Sequence, residues 1–163
     1  MTDERKPEVM WEGRFIRAMR LGQWEYTSRA RGMTAVVILA EANGKILLVE
    51  QPRAAIGKRC IELPAGLVGD EDEAATVLGT AEKELLEETG HSAERFEILG
   101  EFYSSPGMIA ESFTLVRATG LERVDDGGGN EHEDIVVHQV SRAELPEFLE
   151  RMRGQGKGID VRL

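Results

Sequence analysis

Glu84, Glu87 and Glu88 stand three and four residues apart within Lys83-Glu-Leu-Leu-Glu-Glu-Thr-Gly-His91. On a helix that spacing sets all their carboxylates on one side, where like charges repel unless cations lie between them. The segment therefore offers the oxygen donors of a site for hard divalent metal ions. Taken alone it also fits a solvated helix face, and acidic residues at such spacings are common on surface helices. Other residues have equally plain readings by themselves: Glu131 and Glu133 beside a glycine run as a solvated loop, Arg53 as a surface ion pair, Trp24 as core or interface filler. His91, His132 and His138 show no ligand spacing with one another. Cys60 has no activating pattern around it and reads as a small buried apolar side chain.

The elements that must hold these residues can be read from periodicity. From Glu73 to Thr89 the spacing of Val77, Leu78, Ala81 and Leu85 is helical; Gly90 is placed to stop the helix, and Gly79 weakens its middle. Thr34 to Ala40 and Lys45 to Glu50 are apolar runs around Asn43-Gly44, the pattern of a β-hairpin. Cys60 to Leu63 is a short strand leading into the turn Pro64-Ala65-Gly66, and further strands are expected at Phe96–Ser104, Ser112–Ala118 and Asp134–Val140. Ser141 and Glu144 have the form of a capping box ahead of Leu145, Phe148, Leu149 and Met152, with Pro146 pushing the true helix start later. The low-complexity stretch Asp125-Asp-Gly-Gly-Gly-Asn130 reads as a mobile loop. Strands on both sides of one helix, with a second helix at the end, predict an α/β sandwich.

Composition narrows the function classes. With 163 residues and 41% hydrophobic content the chain can bury one core, and a single soluble domain is expected. A net charge of −10 repels phosphate backbones and anionic membranes, which argues against nucleic-acid and membrane partners. The single cysteine excludes an intrachain disulfide, and no apolar stretch could serve as a signal core or a membrane span, so the cytoplasm is the expected compartment. Trp11, Phe15, Ile16, Trp24 and Tyr26 make residues 1–33 an apolar N-terminal segment of strands able to join a partner, and a homodimer is expected, with the main domain over 34–163.

The acidic segment resembles the Nudix box, G-x5-E-x7-R-E-U-x-E-E-x-G-U, the loop-helix-loop signature of hydrolases that cut nucleoside diphosphates linked to another moiety. Glu84, Leu85, Glu87, Glu88 and Gly90 match; Lys83 replaces the arginine, whose bidentate fork a lysine cannot reproduce. Gly66 lies three residues further upstream than in the pattern, and the upstream glutamate is matched loosely by Asp72 or Glu73. The likeness extends from about Trp24 to the C-terminus and is nearest to the ADP-ribose pyrophosphatase branch. Glu62-Leu-Pro-Ala-Gly66 is similar to that branch's lead-in, Val49-Glu-Gln-Pro-Arg53 to its phosphate-contacting segment, Tyr103-Ser-Ser-Pro-Gly107 with Glu111 to its proline motif, and Asn130-Glu-His-Glu-Asp134 to its acidic loop.

The resemblance implies a Nudix-type α/β/α sandwich with a mixed central sheet. It assigns metal ligation to the Ala65 carbonyl, Glu84 and Glu88, with Glu87 in a shared role. It makes Glu133 the general base, with Glu131 as its substitute, on a loop able to close over substrate. Arg53 would orient phosphate, and Trp24, Glu25 and Arg29, with Ser105, Pro106, Gly107 and Glu111, would help to hold the substrate. The implied substrate is a nucleoside diphosphate sugar, foremost ADP-ribose. A diphosphate entering an acidic pocket needs oxygen-loving divalent cations, and Mg²⁺ fits best, with Mn²⁺ as a substitute.

Overall fold

The computed structural model describes residues 6–30, 33–70, 74–130 and 133–163. Glu131, His132, Asp72 and Glu73 lie outside the described residues. Three strands, β1 (Glu8–Glu12), β2 (Ile16–Leu21) and β3 (Trp24–Arg29), pair antiparallel as a sheet of their own. β4 (Thr34–Ala42) and β5 (Lys45–Arg53) then form the expected hairpin, with Asn43 at φ 52° and Gly44 at φ 74°, the left-handed pair that its tight turn requires.

A short 3-10 turn (Ala54–Ile56) leads to β6 (Lys58–Glu62), β7 (Ala65–Val68) and helix α1 (Val77–Thr89). The chain continues through β8 (His91–Tyr103), β9 (Ser112–Arg123), β10 (Val136–Ser141), helix α2 (Leu145–Gly154) and β11 (Gly158–Ile159). The main sheet runs β11-β6-β5-β4-β9-β8, with β10 added to β5 and β7 to β4. It is mixed, because β4 lies parallel to β9 and β6 parallel to β11 while the other neighbours are antiparallel.

Alternation along β4 feeds a core on each face of this sheet. Val36, Ile38 and Ala40 gather with Val116, Ala118 and, from α1, Ala81 and Leu85. Val37 turns the other way and gathers with Leu48, Ile61, Val140 and, from α2, Phe148 and Met152. A helix covers each face, which is the expected sandwich.

Several boundaries differ from the sequence reading. α1 begins at Val77 and not at Glu73, because Thr76 is its N-cap: the Thr76 hydroxyl accepts the Gly79 N–H at 3.1 Å. Gly79, read as a weak spot, is thus part of the cap. β8 starts at His91, five residues before the expected Phe96, since Gly90 turns at φ 71° straight into pairing with β9. The capping box does not form: Glu144 is the N-cap of α2 with no side-chain cap bond, and Pro146 is accommodated in the first turn, where its missing N–H costs nothing. β7 and β11 were not anticipated; at four and two residues they are too short to show a period.

Candidate active site

α1 presents its acidic residues at the end that meets β7. With Ala81 and Leu85 facing the core, the helical turn carries Glu88 to the core's edge, where it is only 3% exposed; Glu84 is half-buried and Glu87 exposed. A Glu88 oxygen accepts the Ala65 N–H at 3.0 Å, joining helix to strand. Burial pushes the Glu88 carboxyl up to about 8, the charges of Glu84 and Glu133 push the same way, and the Ala65 N–H and Arg53 oppose them. Glu84 lies directly over Gly66: a Cβ at residue 66 would sit 2.2 Å from Glu84 Oε1, so only glycine permits this approach. Lys83 Nζ lies 3.8 Å from Glu87 Oε2, one turn along its own helix.

Among the described residues no group of three or more His, Cys, Asp or Glu already has the geometry to hold a metal ion. The chemistry of the donors nevertheless fits a hard cation. A buried carboxyl whose charge its acidic neighbours disfavour gains that charge readily beside a divalent ion, and the other donors near it are oxygen.

These groups line a cleft of about 530 Å³ whose wall also includes Arg53, Lys83 and Glu133. Arg53, at the end of β5, is gripped by Glu62 at the end of β6: Nε and Nη2 donate to the two Glu62 oxygens at 2.7 and 2.6 Å. Glu62 is 2% exposed, so the fork is fixed from below while part of the guanidinium faces the cleft. The sequence reading named Arg53 but gave Glu62 no role; a charged residue closing the apolar run Cys60-Ile61 was the available signal.

The glycine run is not the free loop the composition suggested. Gly128 N–H donates to the Glu88 carbonyl and Gly129 N–H to the Glu87 carbonyl, each at 2.9 Å, while Val124 and Asp125 N–H groups bond the Gly90 carbonyl. The run thus caps the C-terminal end of α1 and satisfies carbonyls the helix leaves open. Beyond it, Glu133 N–H donates to the Asn130 carbonyl, and Asn130 N–H donates to Glu133 Oε2, both at 3.0 Å. Glu133 is thereby brought to the acidic cleft, close enough to raise Glu88.

A second cleft of about 540 Å³ adjoins the first through Arg53, Ala65, Gly66 and Leu67. Arg29 and Glu111, paired at 2.8 Å, lie along it, with Phe113, Asp160 and Arg162. The sequence reading passed over Asp160 and Arg162, which β11 carries to this place. β3 docks beside it: Thr27 N–H donates to the Met108 carbonyl at 2.9 Å, and Ala110 N–H to the Thr27 carbonyl at 2.8 Å. The Ser105 carbonyl accepts from Met108 and Ile109, closing the turn that holds Pro106 and Gly107. Trp24, 64% exposed, lines neither cleft, nor do Glu25, Ser105, Pro106 or Gly107.

Comparison with known proteins bears on the family and the fold. The NUDIX domain profile matches residues 30–157. The methanol dehydrogenase activator of Bacillus methanolicus is 34% identical over 157 residues, covering 91% of this chain and 83% of that protein. The ADP-ribose pyrophosphatase of Bacillus subtilis is 33% identical over 120 residues, covering 71% of this chain and 62% of its own length. The crystal structure of an ADP compounds hydrolase superposes with a TM-score of 0.69 at 20% identity, over 89% of this chain and 80% of that one, a likeness of fold.

Proposed function

The chain belongs to the NUDIX domain family and is a Nudix hydrolase, and on that premise we propose that it cleaves a nucleoside diphosphate sugar, with ADP-ribose giving AMP and ribose 5-phosphate. The observation that carries this reading is Arg53, a guanidinium held by Glu62 and shared by an acidic cleft and a second cleft lined by ion pairs. A diphosphate bridging the two would have its phosphates at Arg53. The likeness to ADP-ribose pyrophosphatase supports ADP-ribose as the first substrate to test.

The Ala65 carbonyl, Glu84 and Glu88 would hold Mg²⁺, or Mn²⁺ in its place, with Glu87 shared. The cation would neutralise the diphosphate and draw charge from phosphorus as water adds. Glu133 takes the proton of the attacking water; a new oxygen–phosphorus bond forms, the anhydride oxygen–phosphorus bond breaks, and the leaving phosphate keeps the electron pair. Arg53 orients the phosphate oxygens. Arg29 and Glu111, at the second cleft, contact the far moiety. Trp24, Glu25 and the Ser105–Gly107 turn would reach substrate from the edge of a partner subunit.

A homodimer through the β1–β3 sheet is supported by its exposed apolar side chains, among them Trp11 at 57% and Trp24 at 64%. Among the described residues no helix is long and apolar enough to cross a membrane. The single cysteine supports the cytoplasm as the compartment, and the net charge of −10 supports a partner other than nucleic acid or an anionic membrane.

Incubating the purified protein with ADP-ribose, other nucleotide sugars and dinucleoside polyphosphates in Mg²⁺ or Mn²⁺ tests the reading. AMP and ribose 5-phosphate should appear and vanish with chelator. Faster turnover of another nucleotide would reassign the substrate, and binding without turnover would leave a nucleotide-sensing module.

A further inference from the structure

Arg59, on β6, borders neither cleft, yet its guanidinium makes four hydrogen bonds. On one side Nε donates to Glu50 Oε1 at 2.7 Å and Nη2 to the Glu50 carbonyl at 3.0 Å. On the other, Nη1 donates to Asp134 Oδ2 at 2.5 Å and Nη2 to the Asp134 carbonyl at 3.0 Å. The Glu50 side is anchored in the sheet: Glu50 is 6% exposed and also bonds Lys157 Nζ at 2.5 Å and His138 Nε2 at 3.1 Å.

The Asp134 side is different. Its side chain is 72% exposed, and an ion pair so placed contributes little by itself. What distinguishes it is the second bond, to the backbone carbonyl, which fixes the chain next to Glu133. Ile135, 9% exposed, already sets the depth of this segment, so the Arg59 bonds fix how the peptide at Asp134 is turned. The far end of the segment is held by Gly128 and Gly129 on the carbonyls of Glu88 and Glu87. Glu133 therefore sits between two clamps, one built on the acidic helix and one on Arg59. A lysine could not replace the latter, because a single ammonium cannot reach both Glu50 and Asp134 in a planar fork.

We infer that Arg59 is a positioning residue, which aims the Glu133 carboxylate into the acidic cleft by fixing the backbone of Asp134 against buried Glu50. The inference rests on the reading of Glu133 as the base. It concerns direction and not charge, since among the described residues the Arg59 guanidinium hydrogen-bonds only Glu50 and Asp134, neither of which lines either cleft.

The test uses Arg59→Gln, and Asp134→Asn as an exposed variant should the first not fold, each alone and combined with Glu133→Gln. With ADP-ribose and Mg²⁺, Arg59→Gln should lower kcat about tenfold or more with KM within about threefold, since small misplacements of a reacting group are costly. In the Glu133→Gln background the same change should alter kcat by less than about twofold, because residues acting as one unit are not additive. In the protein without metal or nucleotide, amide exchange at Glu133 should rise about tenfold while α1 keeps its protection. Asp134→Asn should move every readout the same way, by less. An equal loss of kcat in both backgrounds, an unchanged kcat, or unchanged exchange at Glu133 would overturn the inference. Full activity of Glu133→Gln would instead remove the base assignment, and the exchange measurement then decides the clamp by itself.

Discussion

Glu88 shows how a side chain can be costly to the fold and still be kept. It is 3% exposed and disfavoured as a charge by burial and by Glu84 and Glu133. Glu88→Gln should therefore lower kcat by about two to three powers of ten while leaving the melting temperature in chelator no lower than that of the parent. A destabilised variant with full activity would make Glu88 structural. Gly66 is the complementary case, because a methyl group there would lie 2.2 Å from Glu84 Oε1. Gly66→Ala should displace that carboxylate and weaken Mn²⁺ binding about tenfold or more by titration calorimetry, as expected when a ligand is turned away; unaltered affinity would release Glu84 from the metal role. The spacing of the glutamates was legible in the sequence because helical periodicity is local. The need for glycine at residue 66 was not, since it arises from a helix crossing a strand.

Elements were legible where a single period runs long enough. The β4–β5 hairpin and the heart of α1 came out as expected, whereas the start of α1 was set by one hydroxyl and the start of β8 by pairing with β9. The glycine run was misread for a clear reason: composition measures the freedom of the unfolded chain, and these glycines use theirs to approach the end of α1. Gly127, at φ 68°, would place a Cβ 2.4 Å from the Thr89 carbonyl carbon. Gly127→Ala should cost about 1–3 kcal/mol in chemical denaturation, the usual range for a forced left-handed residue before the clash is counted. It should also lower kcat, because the bonds to the Glu87 and Glu88 carbonyls hold Glu133 in place. Wild-type stability in this variant would mean that the loop does not rest on the helix.

At the scale of the molecule, Glu50 draws together β6 through Arg59, β10 through His138, and Lys157 from beyond α2. Burial alone would raise its carboxyl, but the hydrogen bonds from Lys157, Arg59 and His138 outweigh it and bring the group down from the usual 4.5 to about 2. The unfolded chain then takes up this proton first as pH falls, so the contribution is full above about 4.5 and is lost towards about 2. Denaturation followed between those values should show a shallower loss in Glu50→Gln than in the parent; parallel slopes would deny Glu50 this part. The sequence by itself determined the amphipathic helix, the hairpin and the acidic spacing, which depend on residues within a turn or two of one another, and the family resemblance, which rests on several short motifs in a set order along the chain. Only the tertiary structure decided that Glu62 grips Arg53, that Glu133 stands beside Glu88, and that Arg59 reaches Asp134, 75 residues away along the chain. Such meetings depend on strand order and loop closure, which no local period records.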